Sequence, residues 1–261
     1  MIASDQCKDL KVLELNPKTG PDCEGLFFEL RLEHPGWKTW RPGQFVMIRP
    51  VSWGFEPMWA RPLSICDVED DCLVLFFQIA GRGTKQLAEL KSGDTVTVWG
   101  PLGNGFSVAP DTPTLLLAGG IGIAPFLGYV NRRNQPENTK LFMAHRPPLE
   151  CYPYDDIAKK AEVEAYQEKN SDDLPKIINR ISELVKDYAD GGAVLCCGPT
   201  PFMRTVQQEA IKYGTKAYLS LENRMACGVG ACLGCVCEDG EGHNVQTCTR
   251  GPVFPATDVK L

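Results

Sequence analysis

The chain has no surplus of positive charge. Its 27 Lys and Arg stand against 33 Asp and Glu, a formal net charge of −6, so a nucleic-acid footprint is not expected. No block of like charges is long enough to form an interaction tail. There is no internal repeat and no low-complexity tract, and 43% apolar with 23% charged residues excludes a disordered or collagen-like chain. Met1 to Asp9 lack an apolar signal core. The expectation is therefore a cytoplasmic protein whose 12 cysteines are reduced thiols or metal ligands. Charge is also missing from Thr112 to Asn131, long enough to suggest a membrane span. But Gly119, Gly120, Gly122 and Gly128, with Pro113 and Pro125, fit a strand, a glycine turn and a helix start. No membrane span is expected.

Three stretches differ in rhythm. Residues 1–107 carry short apolar or alternating runs: Leu10 to Leu15, Leu26 to Leu32, Gln44 to Arg49, Leu63 to Cys66, Cys72 to Ile79 and Thr95 to Trp99. Turn residues such as Arg41-Pro42-Gly43 and Ser92-Gly93-Asp94 separate them, which predicts a small antiparallel β-barrel with one helix over Thr84 to Lys91. Residues 108–220 alternate strands (Thr114 to Ala118, Lys140 to Ala144, Ala193 to Cys197, Lys216 to Leu221) with helices (Pro125 to Arg133, Ile157 to Ala161, Lys176 to Tyr188, Phe202 to Tyr213). That pattern predicts an α/β domain on a parallel sheet. Residues 221–261 are rich in cysteine and glycine and too few to hold themselves by apolar burial.

Five cysteines fall between Cys227 and Cys248. Cys227, Cys232, Cys235 and Cys248 follow C-x4-C-x2-C with a fourth further on, the plant-type [2Fe–2S] spacing. Gly228, Gly230, Ala231 and Gly234 are small enough to let the loop wrap and aim backbone N–H groups at the sulfurs. A structural zinc site and free thiols are the alternatives, though zinc sites favour paired knuckles on both sides. Cys237 reads as a small strand residue, and the seven cysteines outside the cluster read mostly as core fillers.

Two glycine turns resemble phosphate sites. Gly81-Arg82-Gly83-Thr84 runs into a helix, and Arg61-Pro62-Leu63-Ser64 offers an arginine for a pyrophosphate. Gly119-Gly120-Ile121-Gly122 joins a buried strand to a helix opened by Pro125, and Cys197-Gly198-Pro199 ends a later strand in the same way. Neither matches G-x-G-x-x-G. Each turn taken singly also fits an ordinary structural turn. Arg146, at the end of the second α/β strand, is placed to meet a 2′-phosphate, but Glu150 lies close by.

The order of these segments resembles the ferredoxin-NADP-reductase-like flavoproteins over nearly the whole chain. Glu222 to Cys235 and Cys248-Thr249-Arg250-Gly251-Pro252-Val253-Phe254 resemble the electron-transfer subunits of bacterial type B dihydroorotate dehydrogenases. The resemblance implies a multi-domain protein: an FAD-binding β-barrel (1–107), an NAD-binding α/β domain (108–220) and a [2Fe–2S] domain (221–261). It implies that Arg61, Pro62, Leu63 and Ser64 hold the flavin, that Phe76, Phe77 and Gln78 line it, and that Gly83 and Thr84 hold its phosphates. Gly119, Gly120 and Gly122 with Cys197, Gly198 and Pro199 would frame NAD(H), and no side chain would act as a catalytic acid or base. It further implies an FMN-containing catalytic partner, two of each subunit in a heterotetramer, and a place in pyrimidine (UMP) synthesis. Residues 159–186 depart from the pattern, lacking a glycine turn. A subunit of a ferredoxin:NADP oxidoreductase or of a sulfide dehydrogenase is the near alternative. A redox-sensing or zinc-bound interaction module is the distant one.

Overall fold

The computed structural model describes residues 6–20, 23 and 25–261. Strands β1 (Cys7–Pro17), β2 (Phe27–Glu33), β3 (Phe45–Pro50), β4 (Arg61–Val68), β5 (Cys72–Gln78) and β6 (Thr95–Leu102) close into a barrel in the order β1-β2-β5-β4-β3-β6. Every pairing in it is antiparallel. Alternate residues fill the interior: Leu30 and Leu32, Val46 and Ile48, Leu73 and Leu75, Val96 and Val98. Each such burial stabilises by about 1.5–3 kcal/mol. Helix α1 (Arg82–Leu87) caps one end through Leu87. It starts two residues before the sequence pattern placed it and stops well before Lys91. Thr84 sets that start, its hydroxyl accepting the N–H groups of Ala80 and Gly81 at 2.8 and 3.1 Å.

The second layer is a sheet in the order β14-β11-β10-β7-β8-β9. Strands β7 (Thr114–Gly119), β8 (Thr139–His145), β9 (Glu162–Gln167), β10 (Ala193–Cys197) and β11 (Ala217–Ser220) are parallel. Odd and even residues of β7 separate cleanly. Leu116 and Ala118 pack with α2 (Ala124–Asn131) and α3 (Tyr154–Ala158). Leu115 and Leu117 pack with α4 (Asp173–Asp187) and α5 (Thr200–Tyr213) on the other face. Strand β9 lies between the two helices that the sequence pattern placed at Ile157 to Ala161 and Lys176 to Tyr188, in a segment to which that pattern gave no element. Its charged Glu162 and Glu164 interrupt the apolar pattern of a strand; both pair with Lys140, and Glu164 also with Arg180. The turn into α4 then needs no glycine, because Asp173 accepts the N–H groups of Lys169 and Asn170 at 2.9 and 3.2 Å.

The cysteine-rich stretch leaves the sheet after β11, folds as a hairpin of β12 (Val236–Glu238) and β13 (Asn244–Gln246), and turns through α6 (Thr247–Arg250). It returns as β14 (Val253–Pro255), antiparallel to β11. Its two ends are thus held by the sheet, which supplies the burial that the stretch lacks by itself.

One cysteine expectation is corrected. Cys23 and Cys151, 128 residues apart, form a disulfide, and both sulfurs are buried. They lie in the core shared by barrel and sheet, with Phe27, Cys66, Phe76, Phe106 and Phe126. No spacing in the sequence marks a pair brought together only by tertiary packing. Among the described residues no helix is long and apolar enough to cross a membrane.

Candidate redox site

The four spaced cysteines converge. The Cys227 thiol is close enough to act on Cys232, and Cys248 feels the thiol of Cys235 first and that of Cys227 after it. Backbone donors surround them. The N–H groups of Val229 and Cys232 both point at Cys227 Sγ at 3.4 Å. Gly230 N–H points at Cys248 Sγ at 3.1 Å, and Gly234 N–H at Cys232 Sγ at 3.4 Å. Positive φ at Gly228 (70°), Gly230 (80°) and Leu233 (56°) lets the loop curl this tightly. The Gly234 N–H, followed by the backbone and thiol of Cys227, draws the exposed Cys232 thiol down to about 7. Burial, then the neighbouring Cys235 thiol, pushes Cys248 up to about 12. Four converging thiols, ringed by N–H donors, suit an anionic iron–sulfur centre. Cys237 stands apart in β12, its sulfur accepting the Thr247 hydroxyl at 3.4 Å.

This unit sits on one face of the barrel. Buried Cys235 and Cys248 pack with Phe45, Met47, Ala60 and Leu102, and Trp99 donates to the Cys227 carbonyl at 3.2 Å. A side chain on Gly228 would meet Met47 at 2.5 Å. The register pairs Met47 with Pro62 and Phe45 with Ser64, and such cross-strand partners share a face. Pro62 and Ser64 therefore lie on the barrel surface that carries the cysteines. Phe45, Met47, Ala60 and Trp99 were not singled out from the sequence. They look like ordinary barrel residues, and only register shows that the outer face of β3 is covered.

Arg61 lies at the barrel mouth. Its guanidinium is 5.6 Å from the Trp53 ring centroid and donates to the Trp59 carbonyl at 2.8 Å. A Cβ on Gly83 would be 2.0 Å from Arg61 Nε. Residues 22 positions apart in sequence are thus in van der Waals contact, with the glycine making room for the arginine. Burial, then the nearby charge of Arg82, lowers the guanidinium pKa from its usual range. That cation crowded by a second one fits an anionic pyrophosphate. Leu63 turns towards the barrel core instead. The side chains of Phe76 and Phe77 do not line this surface. Phe77 is in the barrel interior and Phe76 in the core between barrel and sheet, at 2% and 3% exposure. Alternation sends successive residues of β5 to opposite faces, and both faces are covered there. Gln78 remains half-buried.

The two sheet-end turns touch each other. A Cβ on Gly119 would meet Pro199 at 2.8 Å, one on Gly198 would meet Gly119 at 2.9 Å, and one on Gly122 would lie 2.1 Å from the Cys197 carbonyl oxygen. Gly120, at φ +54°, has only the Tyr152 hydroxyl oxygen, at 3.9 Å, near the position of its missing Cβ. The turns thus form one glycine-lined edge at the carboxyl ends of β7 and β10, where doubly wound sheets hold ligands. Burial, then the charge of Glu222, pushes the Cys197 thiol up to about 12, so it stays protonated.

Residues 222–260 match the model of the iron-sulfur cluster binding domain of dihydroorotate dehydrogenase B. The chain is 34% identical over 235 residues to the dihydroorotate dehydrogenase B (NAD(+)) electron transfer subunit of Caldanaerobacter subterraneus subsp. tengcongensis, covering 89% of this chain and 92% of that protein. It belongs to the dihydroorotate dehydrogenase B electron transfer subunit family. The subunit of that name from Clostridium acetobutylicum is also 34% identical, over 85% of this chain and 87% of its own. In fold, this family member is similar to an NADH-dependent reduced ferredoxin-NADP oxidoreductase structure. The TM-score is 0.79 at 22% identity, over 96% of this chain and 89% of that one.

Proposed function

We propose that this chain passes electrons between NAD+ and an FMN-containing dihydroorotate dehydrogenase catalytic subunit, through FAD and one [2Fe–2S] cluster, in UMP synthesis in the cytoplasm. The observation that carries the reading is the shared barrel face: Cys235 and Cys248 pack on Met47 and Phe45, the register partners of Pro62 and Ser64. Residues 1–107 then hold FAD, 108–220 NAD(H) and 221–261 the cluster. When bound, FAD converts the two-electron chemistry of the nicotinamide into the single-electron steps of the cluster.

The chain's own groups divide the work. Arg61, with Gly83 clearing its space, neutralises the flavin pyrophosphate. Thr84 fixes the turn that presents Gly83. Pro62, Ser64 and Gln78 border the flavin. Cys227, Cys232, Cys235 and Cys248 would hold the cluster, and the four N–H groups would offset its negative charge. The edge made by Gly119, Gly120, Gly122, Cys197, Gly198 and Pro199 lets the nicotinamide nucleotide approach the backbone. NADH is favoured over NADPH because Arg146 is already held by Glu168, through Nη2 at 2.9 Å and Nε at 3.1 Å. A heterotetramer with two of each subunit fits this role.

The test is reconstitution. The purified chain should contain FAD, with iron and acid-labile sulfide each near two per chain. Mixed with an FMN-bearing dihydroorotate dehydrogenase from the same genome, it should support NAD+ reduction by dihydroorotate. Zinc without sulfide overturns the cluster. Failure to associate, with activity towards ferredoxin instead, overturns the partner.

A further inference from the structure

Beside the first glycine turn, the hydroxyl of an otherwise buried tyrosine is open to the space there and has no hydrogen-bond partner among the described residues. Tyr152 follows β8 and Cys151, and the residue is only 5% exposed. The ring is wedged between Phe27, 5.0 Å away between centroids, and His145, 6.3 Å away. The preceding residue is tied to Cys23 by the disulfide, so both the backbone and the ring are fixed. Among the described residues nothing hydrogen-bonds to the Tyr152 oxygen, and burial is the whole cause of its raised pKa. That oxygen lies 3.9 Å from where a Cβ on Gly120 would be, with nothing else within 4 Å of that point. The hydroxyl therefore borders the space left open by Gly120. The oxygen is reachable from that space although the rest of the side chain is covered, so a group lying over Gly120 can accept its proton.

We infer that Tyr152 is a nucleotide-binding residue, its hydroxyl donating a hydrogen bond to a phosphate or ribose oxygen of the NAD(H) lying over Gly119 to Gly122. The inference rests on the nucleotide site proposed above. Burial pushes the phenol up to about 12, which keeps it a donor at any working pH. The Cys23–Cys151 disulfide acts as a positioning element for this donor. It joins the barrel to the segment that carries Tyr152, and so sets the hydroxyl against the turn.

Tyr152→Phe keeps the ring and its packing and removes only the oxygen. In the purified chain with FAD and cluster bound, calorimetric titration with NAD+ should show affinity falling about tenfold, the typical effect of one such bond. NADH-driven reduction of an artificial dye should show KM raised by a similar factor and kcat retained. FAD content and the cluster spectrum should match wild type. Unchanged NAD+ affinity overturns the inference and leaves the hydroxyl to water. Loss of FAD with NAD+ affinity intact also overturns it, assigning the hydroxyl to the flavin. If wild type itself binds no NAD+, the nucleotide site falls, and that result is distinct from either of these.

Discussion

At the scale of single residues, the glycines divide into those that make room for a flexible side chain and those that make room for backbone. Gly83 is of the first kind, since its missing Cβ is filled by the far end of Arg61. Gly83→Ala should leave the melting temperature nearly unchanged but displace the guanidinium. The expected loss of FAD affinity is up to about 1.5–3 kcal/mol, the worth of a charge-assisted bond to phosphate. Equilibrium dialysis of FAD checks it, with Arg61→Ala as the reference. A variant that keeps full affinity would separate Arg61 from the pyrophosphate. Gly122 is of the second kind, because a Cβ there would meet the Cys197 carbonyl at 2.1 Å, and a carbonyl in a strand cannot swing aside. Gly122→Ala should therefore cost stability, about 1–3 kcal/mol by analogy with overpacked cores, seen as a lower denaturant midpoint. Both glycines stand out in the sequence as members of turns. Which of them yields to substitution depends on what faces the missing Cβ, and no sequence spacing carries that.

At the scale of elements, the turn between β9 and α4 is held by one carboxylate. Asp173 accepts two backbone N–H groups, the Tyr166 hydroxyl and the Lys176 ammonium. The Lys169 N–H first, then Lys176, lower its pKa from 3.8 to about 2. A carboxyl depressed on folding stabilises the native state above its unfolded pKa, and that stability is lost as pH falls through the folded value. The contribution of Asp173 should thus be complete above pH 3.8 and vanish near pH 2. Thermal melts should show Asp173→Asn less stable than wild type at pH 6, with the gap closing as pH falls from 4 towards 2. A gap independent of pH would mean that charge has no part in the turn. This element also marks a limit of sequence reading. The expected glycine turn is absent because an aspartate performs it, and β9 is hidden because its charged glutamates, which pair with Lys140 and Arg180, interrupt the apolar pattern of a strand.

At the scale of the whole molecule, the barrel, the parallel sheet and the cysteine unit were legible because each has its own period: alternation, strand–helix succession and thiol spacing. Their mutual placement was not. The return of Val253–Pro255 to the edge of the sheet, the disulfide from Cys23 to Cys151 and the seating of Cys235 and Cys248 on the barrel arise from contacts between distant segments. That seating decides where a partner has to come. Cys235 and Cys248 are buried towards the barrel, while Cys232 is exposed and Leu233 is 58% exposed beside it. On the function proposed above, the next redox centre approaches the cluster from this outer side. Val236, in the hairpin, and Met58 and Trp59, next to Ala60, add exposed apolar surface nearby. Apolar groups left in water at the outlet of an electron path are best explained by burial against the catalytic subunit. Leu233→Glu would carry an unpaired charge into that contact, where desolvation makes it costly. Its exposure in the free chain should leave folding, FAD content and NADH-driven dye reduction as in wild type. Dihydroorotate-driven NAD+ reduction by the mixed subunits should fall sharply, and raising the concentration of either subunit should recover it in part. Recovery would show that the variant is weakened in association, not in its cofactors. Wild-type activity at limiting concentration would move the docking surface away from this loop.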